Sequence, residues 1–477
     1  MAADTIETDY LVVGAGGTAM SFVDTLLGET EARVVMVDRY HRPGGHWNHA
    51  YSFVRLHQPS AFYGVSSREL SDWTRDESGP NAGYYGLASG AEVLRYFDEV
   101  MQQRFLPSGR VRYFPGCEYR AGDGGAHELR SLTDGDGQRV HVHRKLVNAT
   151  LGQPAIPATH PPRYTVAPGV SCVPPNRLPD LERPHAGYTV VGAGKTGIDV
   201  CLWLLENGVA PGRIRWIMPR DPWLQDRANV QPGAENFERY VAGAIRQLEA
   251  IIQATSIPDL FARLEASGQL VRIDTAVEPT VYRCGIVSQP ELAQLRRIED
   301  VVRLGRVRSI APAQIVLERG ALPADPDTLY IDCSACGLGF GAGAGGLPAM
   351  PVFDGDRINL LMLHSCQPLF SAAVIAYVES HFRDLAEMNA LCTVVPPPEQ
   401  LSSWLRMWAV TFANHRRWGK HAAMAAWLSR CRLNYLTAVL HGAKPDATDK
   451  LVRLKVSMAK ASVAAAARAP ALLADID

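Results

Sequence analysis

The chain has almost no net charge. Across 477 residues, 48 Lys and Arg stand against 49 Asp and Glu, leaving −1. A surface so balanced gives no electrostatic pull on nucleic acid or on an anionic membrane. No apolar run reaches membrane-spanning length. The opening MAADTIETD is acidic and lacks the apolar core of an export signal, so a cytoplasmic location is expected. Cysteine is sparse: nine residues, odd in number and widely spaced, which argues against a disulfide framework and for reduced thiols. No Cys or His cluster has metal-ligand spacing, so no metal is expected, and no catalytic triad stands out. The composition, 47% hydrophobic and 20% charged, is that of a soluble globular protein. The length implies two or three domains.

Against these absences, one supersecondary unit occurs twice. YLVV (10–13) opens into GAGGTA, then MSFVDTLL with helical apolar spacing, then RVVMVD (33–38). YTVV (188–191) opens into GAGKTG, then IDVCLWLL, then RIRWIMPR (213–220). Each reads as strand, glycine turn, helix and strand, the start of a parallel α/β sheet. The Pro-rich stretch 154–184 reads as a linker or crossover between the two. Past residue 367 the chain turns helical, and its Ala-rich last segment is expected to pack as core. The expected fold is α/β: two Rossmann-like dinucleotide-binding domains with a helical C-terminal region. The boundaries are 1–165, 166–340, and a return to the first domain with the helices over 341–477.

In the first turn, Gly14 allows the tight exit from the strand and Gly16 lets backbone approach a pyrophosphate. Gly17 belongs to the same turn, and small Ala19 lets the helix pack on the sheet. Phosphates then sit at a helix N-terminus. Asp38 closes the second strand, where its carboxylate can accept both ribose hydroxyls and would repel a 2′-phosphate. This site suits FAD or NAD(H). In the second turn, Gly192, Gly194 and Gly197 repeat the logic, with Thr196 beside them and Lys195 adding positive charge. Arg220 stands where the first unit has an acid. A guanidinium there suits a 2′-phosphate, favouring NADPH over NADH. Two sites of different preference suggest FAD in the first domain taking hydride from NADPH in the second.

Gly44-Gly45-His46-Trp47, a few residues after Asp38, resembles the GG-x-W of class B flavoprotein monooxygenases: the flavin-containing, Baeyer–Villiger and N-hydroxylating enzymes. The resemblance implies that this loop passes over the flavin ring, with glycines for close approach and Trp as a rigid wall. YSFVRLHQPS (51–60) resembles the Y-P-G-x-R-x-D-x-x-S run of the Baeyer–Villiger enzymes, matching at Arg55 and Ser60, with His57 where that group has Asp. PRDPW (219–223) resembles the x-R-T-P-x-W after the NADPH-binding strand. VNATLGQPAIP (147–157) resembles the ATG…P-x-I-P linker and carries Thr150, and YIDCSACG (330–337) resembles the later ATG strand. The F-x-G-x-x-x-H-x-x-x-W signature has no counterpart. The matches span about residues 8–340.

The resemblance implies an FAD- and NADPH-dependent monooxygenase. It would oxygenate nitrogen, sulfur or carbon of a small organic molecule through a flavin C4a-(hydro)peroxide, with O2 as co-substrate. Arg55 is the candidate to stabilise an anion there, His57 to relay a proton near neutral pH, and Gln58 to hydrogen-bond the flavin edge. Arg39 joins Asp38 at the adenosine. Gln367, with His364 and Ser365, precedes a helix whose start would face the flavin pyrimidine. Two other readings remain open: an NAD(P)H-dependent flavoprotein reductase without oxygen insertion, and a non-catalytic NADPH/FAD-binding module. Cys333-x-x-Cys336 reads as core packing rather than a redox pair. Residues 227–233, RANVQPG, read as a cleft-lining or solvated loop. Self-association into a homo-oligomer stays open.

Overall fold

The computed structural model describes residues 5–122, 126–152, 155–334, 350–397, 400–442 and 448–474. Cys336 and the glycine-rich stretch 337–346 lie outside the described residues.

The first unit contains β1 (Ile6–Val13), α1 (Gly17–Glu29), β2 (Val34–Asp38), β3 (Val111–Pro115) and β4 (Gly137–Asn148). The second contains β5 (Gly187–Val191), α2 (Lys195–Glu206), β6 (Ile214–Ile217), β7 (Pro222–Asp226), β8 (Val281–Val287), β9 (Asp300–Val302) and β10 (Thr328–Asp332). The chain then returns to the first unit through β11 (Arg357–Asn359) and α3 (Pro368–His381). Both main sheets are parallel where it matters. Their orders are β11-β4-β1-β2-β3 and, after the short strand Cys172–Val173, β10-β5-β6-β9. β7 and β8 pair in parallel in a small separate sheet.

β1 and β5 are thus central strands, which explains their near-continuous apolar sequence. Each is flanked on both sides, and each ends at its glycine turn. Val13 is in register with Val37 and Asn148, and Val191 with Ile217 and Asp332. Both turns therefore leave the carboxyl edge of a sheet where the strand order reverses, the place where open α/β sheets bind ligands. α3 is apolar all round and almost wholly buried, as expected of a core helix. It packs on α1, where the Ser21 hydroxyl donates to the Leu369 carbonyl at 2.8 Å.

The third glycine of the second turn shows how tightly helix and strand approach. A Cβ on Gly197 would lie 2.1 Å from the Gly192 carbonyl oxygen, whereas one on Gly194 would meet nothing within 4 Å. Gly192 O already accepts from the buried Trp216 indole at 2.8 Å. Gly197→Ala should therefore cost about 2–3 kcal/mol by overpacking, while Gly194→Ala should leave the thermal unfolding midpoint unchanged. Differential scanning calorimetry on the two variants checks this.

The C-terminal helix Thr448–Ala474 does pack as core. Ala465, Ala469 and Leu472 are buried, and Arg468 Nη2 donates to the Ala254 carbonyl at the end of helix Phe237–Gln253. No helix among the described residues is long and apolar enough to cross a membrane.

Candidate active site

Both glycine turns open on one cavity of about 810 Å³. The turn after β1 supplies Gly14, Gly16 and Gly17; the turn after β5 supplies Gly194, Lys195 and Thr196. α1 and α2 begin at the cavity with glycine N-caps, no side-chain cap and no acid in their first turns. Their leading N–H groups are left to receive an anion. Two helices elsewhere in the chain are capped by side chains, at Ser89 and Ser288.

The two glycines of RPGGHW have a reason visible in the backbone. Gly44 donates its N–H to the Ala15 carbonyl at 2.9 Å. Gly45 has φ +58°, and a Cβ there would lie 2.9 Å from Gly16 Cα. The loop is laid directly on the first glycine turn, and only glycine permits that contact. Trp47, buried, donates from Nε1 to the Tyr63 hydroxyl at 2.8 Å. His46 stacks beside it with ring centroids 5.4 Å apart and faces the cavity, where crowding by protein lowers its pKa.

Asp38 is buried at the end of β2. It accepts from the Ala15 N–H at 2.5 Å and the Tyr40 N–H at 2.8 Å. Burial raises its pKa, and the two backbone donors oppose that rise. Its neighbour Arg39 is exposed and lines the same cavity, as does Thr150, which is tied by its N–H and hydroxyl to Asn148 Oδ1. In the second unit, Lys195 Nζ grips both oxygens of Asp199, and the Tyr51 hydroxyl donates to Asp199 Oδ2 at 2.6 Å. Arg220 is exposed, three residues past the end of β6, and is not among the residues that line the cavity.

The three residues expected to act on the reaction all reach the cavity, with different freedom. Arg55 lies at its exposed rim and donates from Nη1 to the Leu87 carbonyl at 2.9 Å. Gln58 accepts from the Tyr435 hydroxyl at 2.7 Å. His57 lies against β8. Its Nδ1 accepts from the Ile286 N–H at 3.3 Å, which puts the ring proton on Nε2. Burial, with Lys195 and Arg227 nearby, pushes its pKa down to about 3. Burial thus favours the neutral ring at this position. Gln367, at the N-cap of α3, is buried. Among the described residues its Nε2 finds no hydrogen-bond partner, and the nearby Tyr435 hydroxyl donates to Gln58 instead.

Two expectations are corrected. The 227–233 stretch is neither cleft lining nor a solvated loop. Arg227, 2% exposed, donates to the His57 carbonyl, to Asn81 Oδ1 and to Glu291, whose Oε2 lies 2.8 Å from Nη2. It clamps the first unit to the second. The cysteines are not all thiols: Cys284 on β8 and Cys366 before α3 form a disulfide. They are 82 residues apart in sequence, so spacing carries no sign of the pair. Cys333 remains a buried free thiol whose pKa is pushed up by burial. Tyr435 also escaped the sequence reading, because an isolated Tyr outside a motif carries no signal, and the partner of Tyr51, Asp199, lies 148 residues away.

No protein-family model matches the chain. Its sequence is 50% identical over 454 residues to Uncharacterized protein Rv2000 of Mycobacterium tuberculosis, covering 95% of this chain and 82% of that one. The chain belongs to the Rv2000 family. Mb2023 of Mycobacterium bovis, likewise described as uncharacterized, matches over the same span with the same identity. Among solved structures, an FAD-bound form of OTEMO superposes with a TM-score of 0.50 at 14% identity, covering 79% of this chain and 84% of that one. At that identity the likeness establishes the fold: α/β, with two Rossmann-like units and a helical C-terminal region. A flavin monooxygenase from Stenotrophomonas maltophilia gives a TM-score of 0.47 at 16% identity over 82% of this chain and all of that one. A closed form of cyclohexanone monooxygenase gives 0.46 at 13% over 97% and 98%.

Proposed function

We propose that this member of the Rv2000 family is an FAD- and NADPH-dependent monooxygenase that oxygenates nitrogen, sulfur or carbon of a small organic molecule. The observation that supports it most is the meeting of both glycine turns at one cavity. The residues present fit the two cofactors. Gly14, Gly16 and the uncapped start of α1 would hold the FAD pyrophosphate, and Asp38 still has lone pairs for the ribose. The orphaned Gln367 Nε2 offers a donor to a group that brings an acceptor. Gly192, Gly194 and the uncapped start of α2 would hold NADPH, with Arg220 toward the 2′-phosphate. The division at about residues 165 and 340 would separate these tasks.

The chemistry such a flavin supplies when bound is acceptance of hydride from NADPH and activation of O2. The chain's own contribution is placement and exclusion of water. Trp47 and His46 wall the first glycine turn, neutral His57 presents an uncharged face between the units, and the Lys195–Asp199–Tyr51 set carries its charge already matched. Few acid–base groups are needed when the cofactor does the hard step.

The purified holoenzyme tests this with NADPH, 18O2 and three probes: a tertiary amine, a thioether and a cyclic ketone. Label appearing in at least one product, with NADPH consumed in step, is the expected result. Hydrogen peroxide equal to NADPH consumed for all three would move the protein to the reductases; no NADPH consumption would leave only a binding module. Arg220→Ala should weaken NADPH by about 1–3 kcal/mol for a lost charged hydrogen bond and leave NADH nearly unaffected. Equal loss for both, read from flavin reduction rates against nucleotide concentration, would remove the 2′-phosphate assignment.

A further inference from the structure

The oxygenation proposed above makes no use of the Cys284–Cys366 bond, yet both residues line the cavity. Three observations set these two cysteines apart. First, Cys284 lies in an irregularity of β8. Trp223 pairs with Tyr282 and Gln225 with Ile286, so Leu224 alone faces Arg283, Cys284 and Gly285. A bulge of this kind turns a side chain out of its normal alternation. Secondly, positive φ occurs among described non-glycine residues at only four positions, and two of them are Cys284 and Cys366, each at +59°. Such backbone costs of order 1–3 kcal/mol and clusters at functional sites. Thirdly, Cys366 immediately precedes the uncapped N-terminus of α3, a helix of 14 residues with no acid in its first turn, and Arg283 lines the cavity next to Cys284. Both features favour a thiolate over a thiol.

Resting on the FAD and NADPH reading above, we propose that Cys284–Cys366 is a redox-active disulfide that takes two electrons from NADPH within the cavity. The step balances: NADPH gives hydride, solvent gives one proton, the S–S bond breaks, two thiols form and NADP+ leaves. Cys366 then ionises most readily, at the helix end, and is the sulfur poised to attack when the bond re-forms with an oxidant of the disulfide or peroxide class. The bond spans from β8 of the second unit to the loop before α3 of the first, so its opening also removes the covalent tie between the two walls.

The test is an anaerobic NADPH titration of the holoenzyme, followed both by flavin absorbance and by acid quench, thiol alkylation and peptide mass spectrometry. Before NADPH, the Cys284 and Cys366 peptides should be found linked. After it, both should be alkylated, with two equivalents of NADPH consumed per flavin in place of one, because each couple takes two electrons. Cys366→Ser should return the uptake to one equivalent. Bleached flavin with the linked peptides intact would overturn this inference alone, as would free thiols at both positions before reduction. Flavin that NADPH fails to bleach would overturn the cofactor reading and this step with it.

Discussion

Glu291→Ala should destabilise the protein by about 3–5 kcal/mol, because it strands a buried guanidinium. Arg227 is 2% exposed, and both carboxylate oxygens of Glu291 answer its Nη atoms at 3.0 and 2.8 Å. The remaining partners, the His57 carbonyl and Asn81 Oδ1, satisfy hydrogen bonds but carry no countercharge. Glu291 also closes a capping box by accepting from the Ser288 N–H, a smaller contribution of about 1 kcal/mol. The double variant Arg227→Met, Glu291→Leu should be less damaging than Glu291→Ala alone, since it removes the charge together with its partner. Removing the exposed pair Arg68–Glu99, 37% and 35% exposed, should change stability by less than about 1 kcal/mol. Chemical denaturation of the three variants ranks them, and Glu291→Ala behaving like the surface pair would show that the clamp contributes nothing.

The protein should also lose stability on mild acidification, through histidines rather than carboxylates. Burial lowers the pKa of His57 to about 3, of His415 to about 3 and of His364 to about 4. An unfolded histidine titrates near 6.5. Above that value neither state is protonated and the full stability is present. As pH falls below it, the unfolded chain binds protons that the folded chain refuses, and stability is lost progressively down to the folded values. Between pH 7 and 5.5 each histidine should cost about 1 kcal/mol, or about 3 kcal/mol for the three. His364 and His415 have ring centroids 5.1 Å apart, so they titrate as a pair. The thermal midpoint measured across that range should fall, and His415→Gln should remove about a third of the slope. A flat profile would mean that these rings take up protons in the folded state.

The parts of this molecule that are legible in sequence are those dictated by local backbone. The paired glycine turns announce themselves because a tight exit from a strand and a close helix need glycine at fixed spacing, and Gly14, Gly192 and Gly197 meet that need geometrically. GGHW is legible as a loop with a purpose, and its Gly45 lies against Gly16. What spacing cannot show is contact across long separations. Tyr51 with Asp199, Gln58 with Tyr435 and Cys284 with Cys366 are joined only by the folded topology. Electrostatic surroundings are equally invisible: the Ile286 amide on His57 Nδ1 and the burial that lowers its pKa exist only in the fold.

The two units are tied at three separate points around the cavity: by the Tyr51–Asp199 hydrogen bond, by Arg227 and by Cys284–Cys366. Two-lobed proteins commonly admit ligands by rigid-body rotation about a hinge. In this chain such a rotation would have to rupture a covalent bond and a buried ion pair together. While the disulfide is closed, traffic into and out of the cavity must therefore run through local rearrangement of loops, and the lobes themselves behave as one vessel with a fixed aperture.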